Sequence, residues 1–266
     1  MRAVRKFSGN MRDLLSAGLF FMTFIFGPPA LAAVPTAAPD VETLLKRVFD
    51  NYRSKSSETS VGMTIHCAGW ERHLAMKAWT RGMSDALVRF TAPHADAGNA
   101  TLKLGDETWI FNPKLEQVIR LPASMMSQSW MGSDFSYDDL SKSDDLLTEY
   151  AHRLAGSEQQ AGHQVWVVDA IPKPGSPVVW GKVTVRIRDD LVMLEETYFD
   201  QDGKPVRRMT ADDIRVLGGR IYPVIMTMHP LDRPGQWTRI ETSDARFDAG
   251  LPDYLFTLSN LQNPRP

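Results

Sequence analysis

The feature of this sequence that most constrains its fold is a change in hydrophobic period after residue 60. Before that point, apolar residues recur at helical spacing over residues 41–52, directly after Asp40, a residue type that often caps a helix N-terminus. After it, apolar and polar residues alternate in short runs, for example over 63–66 and 183–188. The pattern predicts one amphipathic helix followed by many half-buried strands.

Turn-forming pairs separate the alternating runs, and they are Gly105-Asp106, Asn112-Pro113, Asp202-Gly203 and Gly218-Gly219. No alternation of strands and helices is long enough for a parallel sheet. We therefore expect a mainly β (α+β) chain with an antiparallel sheet. Residues 123–145 break the pattern because they are poor in β-branched residues and rich in Ser and Asp. They predict one or two short helices and loops inserted between strands.

The N-terminus has the organisation of a secretory signal peptide. Four basic residues among the first 13 precede an apolar run over 14–26, and Ala30-Leu31-Ala32 follows. The apolar run is shorter than the roughly 20 residues that span a bilayer, although an uncleaved anchor is the alternative. We expect a signal peptide at 1–32, a flexible leader at 33–39, one domain at 40–266, and export to the periplasm.

The composition excludes several classes of protein. The formal net charge is −2, which argues against a strongly basic nucleic-acid binder. The single cysteine, Cys67, excludes an intrachain disulfide and a cysteine-built zinc site. The six histidines lack metal-ligand spacing, and neither a nucleophile elbow nor a phosphate-binding loop is present. We expect no metal, no cofactor and no catalytic residue.

Methionine and aromatic residues suggest an apolar cavity. A long sheet with one helix and a short insertion has little material to cover its apolar face, and flexible methionines suit a cavity that accepts variable apolar shapes. Side chains two residues apart on a strand share a face, which favours such pairs as wall residues. The predicted lining is Trp109, Phe111, Met125, Met126, Trp130, Met131, Phe135, Met226 and Met228.

Residues 124–140 read Ser-Met-Met-Ser-Gln-Ser-Trp-Met-Gly-Ser-Asp-Phe-Ser-Tyr-Asp-Asp-Leu. This run resembles a signature of the outer-membrane lipoprotein-sorting (LolA-like) family, in the branch with a Met-Gly-Ser-Asp-Phe-Ser-Tyr-x-Asp-Leu motif. The flanking segments 109–114 and 256–261 are also similar to that family. The resemblance covers roughly residues 40–262.

The resemblance implies an unclosed antiparallel β-barrel wrapped around a few helices, LolA/LolB-like, with an apolar cavity. It also implies that lipids or acyl chains are the ligands, and that an inner-membrane transporter of the RND or ABC type is the partner. Within the motif, Ser133 is expected to cap a helix that begins at Asp134. The apolar side chains of 125–131 would then form a mobile flap.

Three functions are compatible with this sequence. The first is a periplasmic, non-covalent carrier or accessory protein for a lipid or lipidated molecule, working with an inner-membrane exporter in outer-membrane lipid or lipoprotein trafficking. The second is a ligand-free interaction module that docks on an RND-type or ABC transporter. The third is a secreted hydrolase that uses Asp, Glu and His residues to which the sequence assigns no position.

Overall fold

The computed structural model describes residues 39–141 and 144–265, so the expected signal peptide at 1–32 and nearly all of the leader at 33–39 lie outside the described residues. From Pro39 onward the chain forms one compact unit. The helices are α1 Val41–Arg53, α2 Tyr137–Ser141, α3 Asp145–Thr148 and α4 Leu258–Gln262. Short 3-10 helices occupy Ala123–Met125, Trp130–Gly132 and Asp253–Phe256. Among the described residues, no helix combines the length and apolar character that crossing a membrane requires.

The strands form one antiparallel sheet. They are β1 Ser56–Cys67, β2 Trp70–Arg81, β3 Asp85–Ala92, β4 Ala100–Leu104, β5 Glu107–Asn112, β6 Gln117–Arg120, β7 Tyr150–Gln160, β8 His163–Pro172, β9 Lys182–Arg188, β10 Met193–Phe199, β11 Pro205–Leu217, β12 Arg220–Pro230 and β13 Trp237–Phe247. Their order across the 13-stranded sheet is β6-β5-β4-β3-β2-β1-β13-β12-β11-β10-β9-β8-β7. The sheet ends at β6 and β7, which confirms the prediction of a mainly β, unclosed antiparallel architecture.

The chain order explains why the insertion crosses the sheet. Strands β6 and β7 are consecutive in the chain but lie at opposite edges, so residues 121–149 must pass from one edge to the other. On the way, Trp130 contacts Phe90 of β3, the backbone N–H of Asp134 donates to Thr238 of β13, and Asp139 binds Arg207 of β11. We call the sheet face that the insertion covers the inner face.

Helix α1 covers the β7–β9 end of the inner face. The Asp40 carboxylate accepts a hydrogen bond from the backbone N–H of Thr43 at 2.9 Å, which confirms the predicted N-cap. Leu44, Leu45 and Val48 are buried against the inner-face side chains of β8 and β9. Burying this apolar stripe is what holds an otherwise isolated helix on the sheet.

The C-terminal segment covers the opposite, outer face at the β3–β5 end. Phe256 and Leu261 are buried there against Leu87 and Leu102. Arg89, on the same face, donates to the carbonyl oxygens of residues 260 and 261. These bonds satisfy carbonyl groups at the C-terminal end of α4 that have no partner within the helix.

The predicted helix start in the insertion is wrong. The short helix α2 begins at Tyr137, and Ser136 caps it. The backbone N–H of Ser136 donates to the Asp139 carboxylate at 2.7 Å, and the backbone N–H of Asp139 donates to the Ser136 hydroxyl at 3.2 Å. Ser133 instead donates its hydroxyl to the carbonyl of Trp130. A Ser three residues before an acidic residue is a capping box, and that spacing, from 136 to 139, was visible in the sequence.

Candidate functional site

A cavity of about 400 Å³ lies on the inner face between α1, the insertion and strands β9–β12. This volume falls within the roughly 300–1,000 Å³ usual for small-molecule sites. The strands contribute mainly apolar walls, with Val183, Met193, Met209, Ala211, Met226, Met228 and Ile240 among the lining residues. The register explains why these side chains meet, because Met209 pairs with Met228 and Ala211 pairs with Met226 across β11 and β12.

Aromatic side chains from five parts of the chain complete the lining, and they are Phe49, Tyr52, Trp130, Phe135, Tyr150, Trp180 and Tyr198. Helix α1 supplies two of them and the insertion supplies two more. Burial raises the pKa of Tyr150 to about 12, so its hydroxyl stays neutral at physiological pH. Large, neutral aromatic surfaces of this kind suit a ligand with an apolar body.

One carboxylate lies on this apolar wall. Glu196 of β10 pairs with Val185 of β9 on one side and with Met209 of β11 on the other, so its side chain shares their inner face. The hydroxyl of Tyr198, two residues further along the strand, donates to Glu196 Oε2 at 2.5 Å. Burial raises the pKa of Glu196, although the Tyr198 hydrogen bond and the charge of Arg207 act in the opposite direction.

Beside this carboxylate, a buried ion pair joins the sheet to the insertion. Arg207 Nη1 donates to Asp139 Oδ2 at 2.8 Å, and Arg207 Nη2 donates to the other carboxylate oxygen. The guanidinium carbon lies 4.5 Å from the ring centroid of Trp180 and 4.4 Å from that of Tyr198. Burial opposes the charge of Arg207, but its hydrogen bonds to Asp139, together with the charges of Asp139, Tyr198 and Glu196, outweigh that effect and raise the pKa of the guanidinium.

A second acidic contact fixes the insertion further along the sheet. The side chain of Asp134 is almost fully buried and accepts hydrogen bonds from Gln236 and Thr238, each at 2.7 Å. Arg233 adds an ion pair at 3.4 Å. Asp134 and Asp139 therefore hold the insertion against the sheet through these protein partners.

The structure brings four of the nine predicted lining residues together at the cavity, and they are Trp130, Phe135, Met226 and Met228. Met228 is buried, and both methionines of β12 share the inner face as their spacing predicted. Trp130 is also buried, and its indole N–H donates to Thr101 at 3.2 Å. A side chain held in this way does not match the expected mobile flap.

Trp109 and Phe111 are not cavity residues in this structure. They share one face of β5, as expected, but it is the outer face, where they pack with Phe256 and Leu261. The inner face at this point is occupied by Ile110, which pairs with Thr101, the residue that Trp130 contacts. Alternation identifies the two faces of a strand but not which face looks inward, and here the C-terminal segment makes the outer face apolar too.

The remaining three predicted residues do not line the cavity. Met131 packs partly buried beside Trp130 and has a positive φ of 55° at the sharp turn before Ser133. Met125 and Met126 are half-buried at the first 3-10 helix of the insertion and belong to neither the cavity lining nor the core clusters.

Sequence reasoning missed the polar part of the cavity. Glu196, Tyr198 and Arg207 come together only through the pairing of β10 with β11. The available signal was the spacing of Glu196 and Tyr198, which puts both on one face of a strand. The irregular register between Met193 and Glu195 hides that signal, because it shifts the alternation by one residue.

One group of possible metal ligands occurs among the described residues, away from the cavity. His163, Asp189 and Asp190 place a ligand atom each within 4.8 Å of one another. His163 Nδ1 already lies 2.7 Å from Asp189, and both carboxylate oxygens of Asp190 accept hydrogen bonds from Arg188. These existing partners explain the group as surface ion pairs.

Comparisons with known proteins agree with this architecture. A family model described as an uncharacterized protein matches residues 82–263, more than half of the chain. No curated protein matches the chain in sequence.

Solved structures with the same fold include LolA-superfamily and DUF1329 proteins. An outer membrane lipoprotein-sorting protein domain from Vibrio parahaemolyticus is 21% identical, has a TM-score of 0.73, and the match covers 83% of this chain and 97% of that one. A DUF1329 family protein from Desulfovibrio piger is 25% identical, with a TM-score of 0.75 and coverage of 83% and 97%. A LolA superfamily protein from Nitrosomonas europaea is 19% identical, with a TM-score of 0.69 and coverage of 83% and 98%.

Proposed function

We propose that this chain is a non-covalent carrier of acyl chains. The chain belongs to the family whose model matches residues 82–263, a model described as an uncharacterized protein. It also has the fold of LolA-superfamily proteins. The observation that carries this proposal is the cavity of about 400 Å³ between α1, the insertion and β9–β12. Its mostly apolar and aromatic walls suit an alkyl chain better than a polar substrate.

The energetics support reversible capture. Each buried methylene contributes about 0.8 kcal/mol, so an alkyl chain of about ten carbons gains on the order of 8 kcal/mol before the costs of association. That gain supports binding weak enough for later release, as a transfer protein requires. Binding alone accounts for such a role, and we assign no catalytic residue.

We also propose the cellular setting. Residues 1–32 act as a cleaved signal peptide, 33–39 as a leader and 40–266 as the carrier domain, which places the protein in the periplasm. The motif in residues 124–140 supports membership of the branch that resembles lipoprotein-sorting proteins, and with it an inner-membrane RND-type or ABC transporter as partner. Cross-linking in cells, followed by identification of the attached membrane proteins, tests that partner.

The test of carriage is a comparison of lipids extracted from two purified variants. Ala211→Phe fills the cavity, because Ala211 lines it, whereas Asp212→Phe places the same side chain at the adjacent exposed position. We expect mass spectrometry of organic extracts to find stoichiometric lipid with the wild type and Asp212→Phe, and much less with Ala211→Phe. Equal amounts from all three, or none from the wild type, would favour the ligand-free docking module instead.

A further inference from the structure

The carboxylate of Glu196 occupies a position that an acyl-chain carrier does not need. Its two cross-strand neighbours on the inner face, Val185 and Met209, are apolar, and the cavity that it lines is mostly apolar. Placing an ionisable group on such a wall costs free energy unless a partner compensates it. Carboxylates retained in apolar clefts are therefore candidates for ligand contacts.

The charge of Arg207 acts on this carboxylate, but the hydrogen bonds of that guanidinium go to Asp139. Asp139 is neutralised by Arg207, and no basic side chain of the described residues forms an ion pair with Glu196. Arg53 also lines the cavity, but it donates to the carbonyl oxygens of Gly82 and Met83. The local field therefore favours a cation and opposes an anion inside the cavity.

The aromatic side chains near Glu196 add to this preference. A ring face attracts a cation that lies within about 6 Å of its centroid, and recognition of ammonium ligands commonly uses several such rings. Trp180 and Tyr198 already hold the guanidinium of Arg207 at 4.5 and 4.4 Å. Tyr52 and Tyr150 line the same cavity.

We propose that the ligand of this cavity is an amphiphile with an aliphatic ammonium head group. The ammonium donates a hydrogen bond to the Glu196 carboxylate, and the alkyl chain lies along β11 and β12. The inference rests on the proposed function, since it names the head-group class of the molecule carried. An ammonium donates to a carboxylate through a charge-assisted hydrogen bond, which is stronger than one between neutral groups. A carboxylate or phosphate head group at the same place would face Glu196 across a medium of low polarity.

Proton uptake and release give this assignment a second readout. The titratable and charged groups that act on or are coupled to Glu196 are Tyr198 on β10, Arg207 on β11, Asp139 on α2 and Tyr52 on α1. Burial raises the pKa of Glu196 although Tyr198 and Arg207 lower it. A bound ammonium favours the ionised carboxylate, so binding at a pH near the raised pKa of Glu196 releases a proton. Ammonium affinity then falls as the pH drops through the raised pKa of Glu196.

The experiment is calorimetric titration with decylammonium, decanol and decanoate, each below its micellar concentration, at about pH 8, where both charged ligands are ionised. The proteins are the wild type, Glu196→Gln and Glu241→Gln, the last removing an exposed carboxylate on β13. We expect the wild type and Glu241→Gln to bind decylammonium at least about tenfold more tightly than decanoate. In Glu196→Gln, decylammonium affinity should fall about tenfold while decanol affinity is unchanged.

The outcomes separate this inference from the proposed function. Equal binding of all three ligands by the wild type, or an unchanged preference in Glu196→Gln, overturns the ammonium assignment but leaves an acyl carrier. Failure of the wild type to bind any of the three contradicts both. Titrations at a series of pH values from 4.5 to about 8, in buffers of different ionisation enthalpy, should also show proton release on decylammonium binding to the wild type but not to Glu196→Gln. Absence of that release from the wild type at every pH contradicts the assignment.

Discussion

At the scale of single residues, the contact with the largest expected effect is the ion pair between Arg207 and Asp139. Both side chains are largely buried, and the pair connects β11 to the insertion. Removing one partner of a buried pair leaves an uncompensated charge, so Asp139→Ala should lower the free energy of unfolding by about 3–5 kcal/mol. Urea denaturation checks this value.

The exposed pair between Lys46 and Asp50 of α1 is the matched control. Asp50→Ala should change the free energy of unfolding by about 0.5 kcal/mol or less, because water screens an exposed pair. Equal losses in Asp139→Ala and Asp50→Ala would show that the Arg207 ion pair does not hold the insertion.

Glu196 should make stability depend on pH. Its pKa in the folded protein lies above the usual 4.5, so folding favours the neutral form. The stabilising contribution of this group is therefore complete below about pH 4.5 and declines as the pH rises towards the folded pKa. We expect Glu196→Gln to have a larger free energy of unfolding than the wild type at about pH 8, as measured by urea denaturation. Between about pH 4.5 and about pH 8, the free energy of unfolding should fall less in this variant than in the wild type. A variant that is less stable at the higher pH would refute the raised pKa.

At the scale of elements, the C-terminal segment contributes stability through one face of α4. Leu261 is fully buried under the outer face, whereas Leu258 on the same helix is 42% exposed. Leu261→Ala should cost about 2–5 kcal/mol because it leaves a cavity, and Leu258→Ala should cost less than about 0.5 kcal/mol. Thermal denaturation of the two variants checks the difference, and similar midpoints would mean that α4 does not pack as described.

The same segment shows why element prediction was better than face prediction. The helix after Asp40 and the alternating strands depend on neighbouring residues, and local spacing was enough to predict them. Whether Trp109 and Phe111 look inward depends on a segment about 150 residues later in the chain, which packs on the outer face. Contacts between such distant residues leave no periodic signal in one sequence.

At the scale of the whole molecule, pairing of the first and last strands creates the site. Strand β1 pairs with β13 and joins two runs of consecutive antiparallel strands, β1–β6 and β7–β13, into one sheet. The insertion that connects the two runs then faces α1 across the inner face, and the cavity lies between them. The composition and alternation predicted the sheet, but the position of Trp130 in the same cavity as Met228 and Glu196 depends on this long-range pairing.

The central claim is that an alkyl chain occupies the cavity beside Trp130 and Trp180. The most direct test is quenching of tryptophan fluorescence by a neutral monoacylglycerol that carries bromine on its acyl chain. We predict saturable quenching in the wild type and nearly complete loss of quenching in the double variant that combines Trp130→Phe with Trp180→Phe. Quenching should be unchanged in Trp70→Phe, because the Trp70 side chain is 49% exposed at the start of β2. Quenching that persists in the double variant, or that never saturates in the wild type, would contradict the account.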